Sequence, residues 1–270
     1  MAKLRISLIQ TALHWEDKKA NLEMLEKKIF AIPDKPELII LPEMFSTGFS
    51  MNNKLLAETM EGDTVDWMRK TAAKKGAVLI GSMIAKEETA SENIYYNRLI
   101  WMLPNGEKAY YDKRHLFAFG KEDQHYSPGN KRLIASVNGW KINLQICYDL
   151  RFPVWLRQSE TNDNPSSPEY DLLIFVANWP AVRSVAWRTL LQARAIENQC
   201  YVIGVNRTGV DGRGLEYQGE SMLVGPLGEV VALLDAEEQI YSHILDHENL
   251  EEVRHKFPFW RDADTFFIQP

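Results

Sequence analysis

Cysteine is scarce in this chain. Two thiols among 270 residues, Cys147 and Cys200, cannot build a disulfide framework, which points to a reducing compartment. Positive charge is not in surplus either. With 31 Lys and Arg against 37 Asp and Glu, the net charge of -6 gives no support to nucleic-acid or anionic-membrane binding. No apolar run reaches the roughly 18 residues that a membrane span requires. The segment Met1-Ala2-Lys3-Leu4-Arg5 enters a strand-like run with no cleavage-site pattern, so a soluble, cytoplasmic protein is expected. A Cys-x-x-Cys spacing is missing, as is a glycine-rich phosphate loop after a strand, so neither a metal nor another cofactor is expected.

What the chain does have is a core and a repeat. A hydrophobic content of 45% over this length is enough for one large core, and residues 1–270 are read as a single domain. Strand and helix patterns alternate, as in an α/β fold. Strands are expected over Leu4–Ile9, Glu37–Leu41 and Ala77–Ile84, with helices over Lys18–Ile32 and Thr64–Lys75, the latter closing at Gly76. A hairpin from Asn93 to Tyr111 turns at Pro104-Asn105-Gly106. The second half runs in the same order: strand Lys141–Ile146, a helix near Val154–Glu160, strand Leu172–Ala177, helix Val185–Asn198, strand Tyr201–Asn206 and a hairpin at Pro226-Leu227-Gly228. Arg5-Ile6-Ser7-Leu8 matches Lys141-Ile142-Asn143-Leu144, and Glu37-Leu38-Ile39-Ile40-Leu41 matches Asp171-Leu172-Leu173-Ile174-Phe175. The expected architecture is an internal pseudo-twofold repeat of two sheets packed face to face with helices outside, a four-layer αββα sandwich. Thr161–Pro168 reads as a polar surface loop.

Three strand ends carry ionisable residues: Leu41-Pro42 runs into Glu43, Tyr111-Asp112 into Lys113, and Leu144-Gln145-Ile146 into Cys147. Ligands in α/β proteins sit beyond strand ends, so these three make a plausible rim. Taken singly, each has a bland reading: a solvated carboxylate, a surface lysine, a small buried thiol. In the repeat Glu43 aligns with Ala177 and Cys147 with Thr11, so the chemistry is not duplicated and one site per chain follows.

Leu41-Pro42-Glu43, Asp112-Lys113-Arg114-His115-Leu116 and Cys147-Tyr148-Asp149-Leu150-Arg151-Phe152-Pro153 resemble, in order, the three catalytic motifs of the nitrilase superfamily of carbon–nitrogen hydrolases. Asn178-Trp179-Pro180 and the run Leu190–Cys200 are most similar to its bacterial ω-amidase branch. The resemblance implies a thiol amidase. Cys147 would be the nucleophile, Glu43 the general base, and Lys113 with the backbone N–H of Tyr148 the oxyanion donors. It also implies a second glutamate, best matched by Glu122, with neighbouring Asp123 as the alternative. Trp179, Phe117 and Phe119 are candidate pocket walls. Arg183 is the candidate receptor for a substrate carboxylate. Arg151 is read as a structural salt bridge holding the loop after Cys147, and His115 as a packing residue.

The substrate implied is the terminal amide of a small dicarboxylate monoamide, 2-oxoglutaramate or 2-oxosuccinamate. Deaminated glutathione, carbamoyl amides and nitriles are alternatives within the superfamily. A non-catalytic binding member of the fold and a redox-sensing thiol are alternatives outside amidase chemistry. The resemblance further implies a homodimer. The aromatic segment Phe257-Pro258-Phe259-Trp260 to Phe266-Phe267-Ile268, within 251–270, would pack on the chain's own core or on a partner.

Overall fold

Two strands, Lys3–Gln10 and Trp140–Ile146, are buried along nearly their whole length, so each needs cover on both faces. In the computed structural model, which describes residues 3–158, 160–161, 164–264, 266 and 268, each lies second from the edge of a six-stranded sheet. In the first sheet Lys3–Gln10, Leu38–Ile40 and Val78–Glu88 run parallel, followed by antiparallel Asn93–Met102 and Lys108–Asp112. The second sheet repeats the plan with Trp140–Ile146, Leu172–Ala177, Tyr201–Asn206, Met222–Val224 and Val230–Leu233. Even the register repeats. Ile6 stands beside Leu38 and Leu38 beside Val78, as Ile142 stands beside Leu172 and Leu172 beside Tyr201.

The sixth strand of each sheet comes from the other half. Ile134–Val137 closes the first half of the chain yet pairs with Trp140–Ile146, and Gln239–Asp246 closes the second half yet pairs with Lys3–Gln10. This reciprocal exchange covers one edge of each sheet and ties the halves together through backbone hydrogen bonds.

Strand alternation sorts the side chains into layers. Leu4, Ile6 and Leu8 pack between the sheets with Ile142, Leu144 and Ile174. On the opposite face, Ile9, Ile39 and Leu79 meet Leu25 and Ile29 of helix Lys18–Ala31 and Met68 and Ala72 of helix Asp63–Lys75. Helix Asp63–Lys75 ends at left-handed Gly76, as expected. Trp187, Leu191 and Ala195 of helix Ser184–Asn198 cover the second sheet. The four layers are α, β, β and α.

Two expected elements differ. After Cys147 the chain forms a tight 3-10 turn, Cys147–Arg151, and then a single helical turn, Pro153–Leu156, in place of a helix reaching residue 160. Buried Gln158 accounts for the early stop: its backbone N–H and its amide both donate to Asn198, which pulls the chain out of helical geometry. The polar insert pairs Glu160–Thr161 with Asn164–Pro168 as a small ribbon in place of a loop, with Asn162 and Asp163 outside the described residues. Among the described residues no helix is long and apolar enough to cross a membrane.

Helix His247–Lys256 docks through buried Arg254, which donates to Asp171 Oδ1 at 2.7 Å and to the carbonyls of Tyr170 and Gln199. Trp260 is buried and its backbone N–H donates to Gln199 Oε1 at 2.9 Å. Phe259, Phe266 and Ile268 stay exposed, and Phe267 lies outside the described residues.

Candidate active site

The three strand ends converge. Pro42 follows strand Leu38–Ile40 and has no N–H for the ladder, so the chain leaves the sheet and Glu43 is fully buried at its end. Lys113 follows Lys108–Asp112 and is 1% exposed. Its strand end is pinned by the Arg98 fork, which reaches Asp112 Oδ1 at 2.6 Å and Oδ2 at 2.8 Å. Cys147 follows Trp140–Ile146 and opens the 3-10 turn with φ at +42°, in the left-handed region that a side chain rarely occupies. Such strain persists where the surroundings over-determine it.

Asp149 supplies that determination. Its Oδ2 accepts from Tyr111 Oη at 2.8 Å and from the Ile146 N–H at 3.1 Å, while Oδ1 accepts from the His115 N–H at 3.0 Å. His115 Nδ1 lies 2.8 Å from the same oxygen, with its ring stacked on Phe152, so this histidine packs beside the turn as expected.

Lys113 Nζ lies 2.9 Å from Glu43 Oε1, and 3.1 and 2.9 Å from the two oxygens of Glu122. Glu122 is fully buried, whereas Asp123 is exposed, so Glu122 is the acid at the lysine. Asn97 joins the carboxylates. Its Nδ2 donates to Glu43 Oε1 at 2.8 Å and to Glu122 Oε1 at 3.0 Å. Glu43 is further fixed by the Asn178 N–H at 2.8 Å, and Glu122 by the Phe117 N–H at 2.6 Å.

These contacts set the electrostatics. Burial opposes the charge on Lys113, but Glu122 and Glu43 outweigh it and hold its pKa well above the usual value. Burial, with the charge of Glu43 added, raises the carboxyl of Glu122. Burial followed by Glu43 likewise pushes the Cys147 thiol far up, and Lys113 and the Asn178 N–H do not reverse this. The resting sulfur is therefore held as a thiol, with buried Glu43 beside it.

A cavity of about 300 Å³ opens over Glu43, Lys113 and Cys147. The three candidate wall residues, Trp179, Phe117 and Phe119, line it, as do the candidate receptor Arg183 and Tyr148. Arg151 does not form the expected salt bridge: among the described residues it has no acidic partner, and its guanidinium lies 5.0 Å over the Trp179 ring at the cavity wall. Packing on an aromatic face gives it a place without an acid and leaves its fork for a ligand. Arg183 lies likewise 5.1 Å over Phe117. Phe49, Arg213 and Tyr217 complete walls that the motifs did not indicate.

Asn97 was also missed, although a polar residue inside the apolar strand Asn93–Met102 is a signal of its own. Replacing it with leucine removes the donor shared by the two carboxylates at similar volume. The expected result is a fall of about 10- to 100-fold in kcat/KM, the scale of a hydrogen bond to a charged group, with KM nearly unchanged. Steady-state kinetics beside thermal unfolding checks this; undiminished kcat in a folded variant would rule the role out.

The profile of the carbon–nitrogen hydrolase family matches residues 5–255. The omega-amidase YafV of Escherichia coli (strain K12) is 43% identical over 267 residues, 98% of this chain and 99% of that protein. A 2-oxoglutaramate amidase of Bacillus subtilis (strain 168) is 31% identical over 262 residues, 96% of this chain and 97% of that one. Among solved structures, XC1258 from Xanthomonas campestris, a CN-hydrolase superfamily protein with an arsenic adduct in its active site, is 43% identical with a TM-score of 0.94 over 100% of both chains.

Proposed function

We propose, from the premise that this chain belongs to the carbon–nitrogen hydrolase family and is a hydrolase of non-peptide carbon–nitrogen bonds, that it cleaves the terminal amide of a small dicarboxylate monoamide, 2-oxoglutaramate or 2-oxosuccinamate. The observation that carries this reading is the composition of one cavity. Cys147, Glu43 and Lys113 sit together in it, and Arg151 and Arg183 face it from aromatic platforms, without acidic partners among the described residues. The name of the Bacillus subtilis relative carries 2-oxoglutaramate and that of the Escherichia coli relative an omega-amidase, which supports a terminal-amide substrate of this kind.

The chemistry follows from the contacts. Glu43 takes the Cys147 proton as sulfur attacks the amide carbon, so the raised thiol pKa costs little once a substrate is bound. The carbonyl oxygen becomes an oxyanion. Lys113 has three N–H groups: one serves Glu43 and another is shared by the two oxygens of Glu122, leaving the third for the oxyanion. Tyr148 is the second residue of its turn, where a backbone N–H has no partner within the helix, and it supplies the other donor. The C–N bond then breaks as Glu43 returns the proton to the leaving nitrogen, and ammonia departs. Water, deprotonated by Glu43, attacks the thioester; the acid leaves and the thiol regains its proton. Glu122 keeps Lys113 charged and aimed.

Ammonia release from 2-oxoglutaramate, a neutral short-chain amide and an aliphatic nitrile tests the reading. Clear preference for the oxo-acid amide is expected, and its complete inertness beside turnover of another substrate would overturn the assignment. Arg183→Ala should lower kcat/KM for carboxylate-bearing amides about 10- to 100-fold more than for neutral ones. An equal loss on both would remove Arg183 as the receptor. Residues 1–270 are further read as one hydrolase unit, acting in the cytoplasm as a homodimer; exposed Phe259 and Phe266 beside the docked C-terminal helix support a partner contact there.

A further inference from the structure

One cavity wall is a tight turn, Asp211-Gly212-Arg213-Gly214-Leu215, between the short paired strands Thr208–Val210 and Glu216–Gln218. Its backbone is tied to a buried acid, Asp211. Asp211, 6% exposed, accepts from the Arg213 N–H at 2.8 Å, the Leu215 N–H at 3.0 Å and Tyr217 Oη at 3.0 Å. Gly212 lies flat against Trp15, where a Cβ would fall 2.3 Å from the indole. Buried Arg207 anchors the ribbon from beneath. It donates to the carbonyls of Thr208 and Val210 and lies 4.8 Å from the Tyr217 ring.

The turn delivers Arg213 to the cavity. Its Nη2 donates to the Phe49 carbonyl at 3.2 Å and lies 3.5 Å from Asp211 Oδ2. A guanidinium carries five N–H groups, so donors remain for a ligand. Arg151, Arg183 and Arg213 thus rest on three different walls, over Trp179, Phe117 and Phe49. Lys113 and the three arginines line the cavity with Glu43, while Glu122 and Asp211 pair with Lys113 and Arg213 from behind. One substrate carboxylate has two oxygens and is satisfied by at most two of these forks, so the third is left for a neutral acceptor.

We propose that Arg213 is a specificity-determining residue that reads an oxygen adjacent to the substrate carboxylate, so that the site selects 2-oxo acid amides over plain carboxylate amides of the same chain length. This rests on the reading of the chain as an amidase of carboxylate-bearing amides. The preformed turn places the fork before the substrate arrives, and little ordering cost opposes its contact.

The test compares kcat/KM for 2-oxoglutaramate and for glutaramate, which lacks only the oxo group, in the wild-type protein, Arg213→Gln and Arg213→Lys. Thermal unfolding and the rate of Cys147 alkylation confirm that the variants are folded. In Arg213→Gln the ratio of the two constants should fall about tenfold or more, as expected for a lost hydrogen bond from a charged donor, chiefly through KM. Arg213→Lys should lie between, since it keeps the charge and loses the fork. An unchanged ratio in a folded Arg213→Gln variant, with the wild-type protein active on both substrates, would overturn the role of Arg213 alone. Wild-type protein inactive on both carboxylate amides but active on a neutral amide would overturn the substrate reading, and this role with it.

Discussion

Cys147→Ala should abolish turnover, by about 10⁴-fold or more, the scale on which losing a nucleophile is felt, while the fold survives. Several features separate the two outcomes. The side chain removed is one sulfur at a cavity wall, 8% exposed, so no sealed void is left behind. The left-handed backbone at φ +42° strains alanine as it strains cysteine, so the substitution neither releases nor adds backbone energy. The turn itself hangs on Asp149, whose bonds to Tyr111, Ile146 and His115 do not involve the sulfur. Unfolding midpoints should therefore agree within about 2 °C, corresponding to less than 1 kcal/mol for a chain of this size. The wild-type thiol carries a companion expectation. Burial and the charge of Glu43 disfavour the free thiolate, so iodoacetamide should label Cys147 slowly at neutral pH and faster as pH rises. Residual turnover near wild type in Cys147→Ala would end the thioester mechanism.

Much of this site is readable in the chain because its chemistry stands at strand ends. Glu43, Lys113 and Cys147 each follow a run whose apolar pattern marks a strand, and the repeat places those ends at one rim. The strands that close the sheets are harder to read. Gln239–Asp246 is an edge strand with only Leu245 buried, so it lacks a strong apolar pattern, and Ile134–Val137 is too short to show one. Contacts between distant segments are harder still. Asn97 acquires its role only when Glu43 and Glu122 arrive from 54 and 25 residues away, and the Arg213 turn depends on Trp15. Arg151 shows the limit of charge arithmetic. A cation after a catalytic motif suggests an acidic partner, but the space beside it is filled by the face of Trp179.

Lys113→Met should damage stability and activity together, and the two losses can be pulled apart. The lysine is 1% exposed between two fully buried carboxylates. Removing it leaves Glu43 and Glu122 facing one another with Asn97 as the shared donor. Breaking a buried charge pair from one side costs about 3–5 kcal/mol. The variant can lower that cost by taking up a proton, and Glu122, already raised by burial and by Glu43 in the wild-type protein, is where the proton goes. A carboxyl whose pKa is higher folded than unfolded favours the folded state fully only below its unfolded pKa, and that support is lost as pH rises through the folded value. The penalty in Lys113→Met should therefore be small near pH 4.5 and grow toward neutrality. In the wild-type protein the lysine's own raised pKa leaves its contribution intact below 10.5. Urea midpoints at pH 5 and pH 8 measure this, and a penalty independent of pH would mean that the carboxylates do not feel the lysine's charge. Adding Glu122→Gln removes the second buried charge without a gap, so the double variant should regain most of the stability. It should not regain activity, which stays down by about 10²- to 10³-fold because the proposed side-chain oxyanion donor is absent. Recovery of both in the double variant would make Lys113 a charge-balancing residue only, and the oxyanion would then depend on the Tyr148 N–H alone.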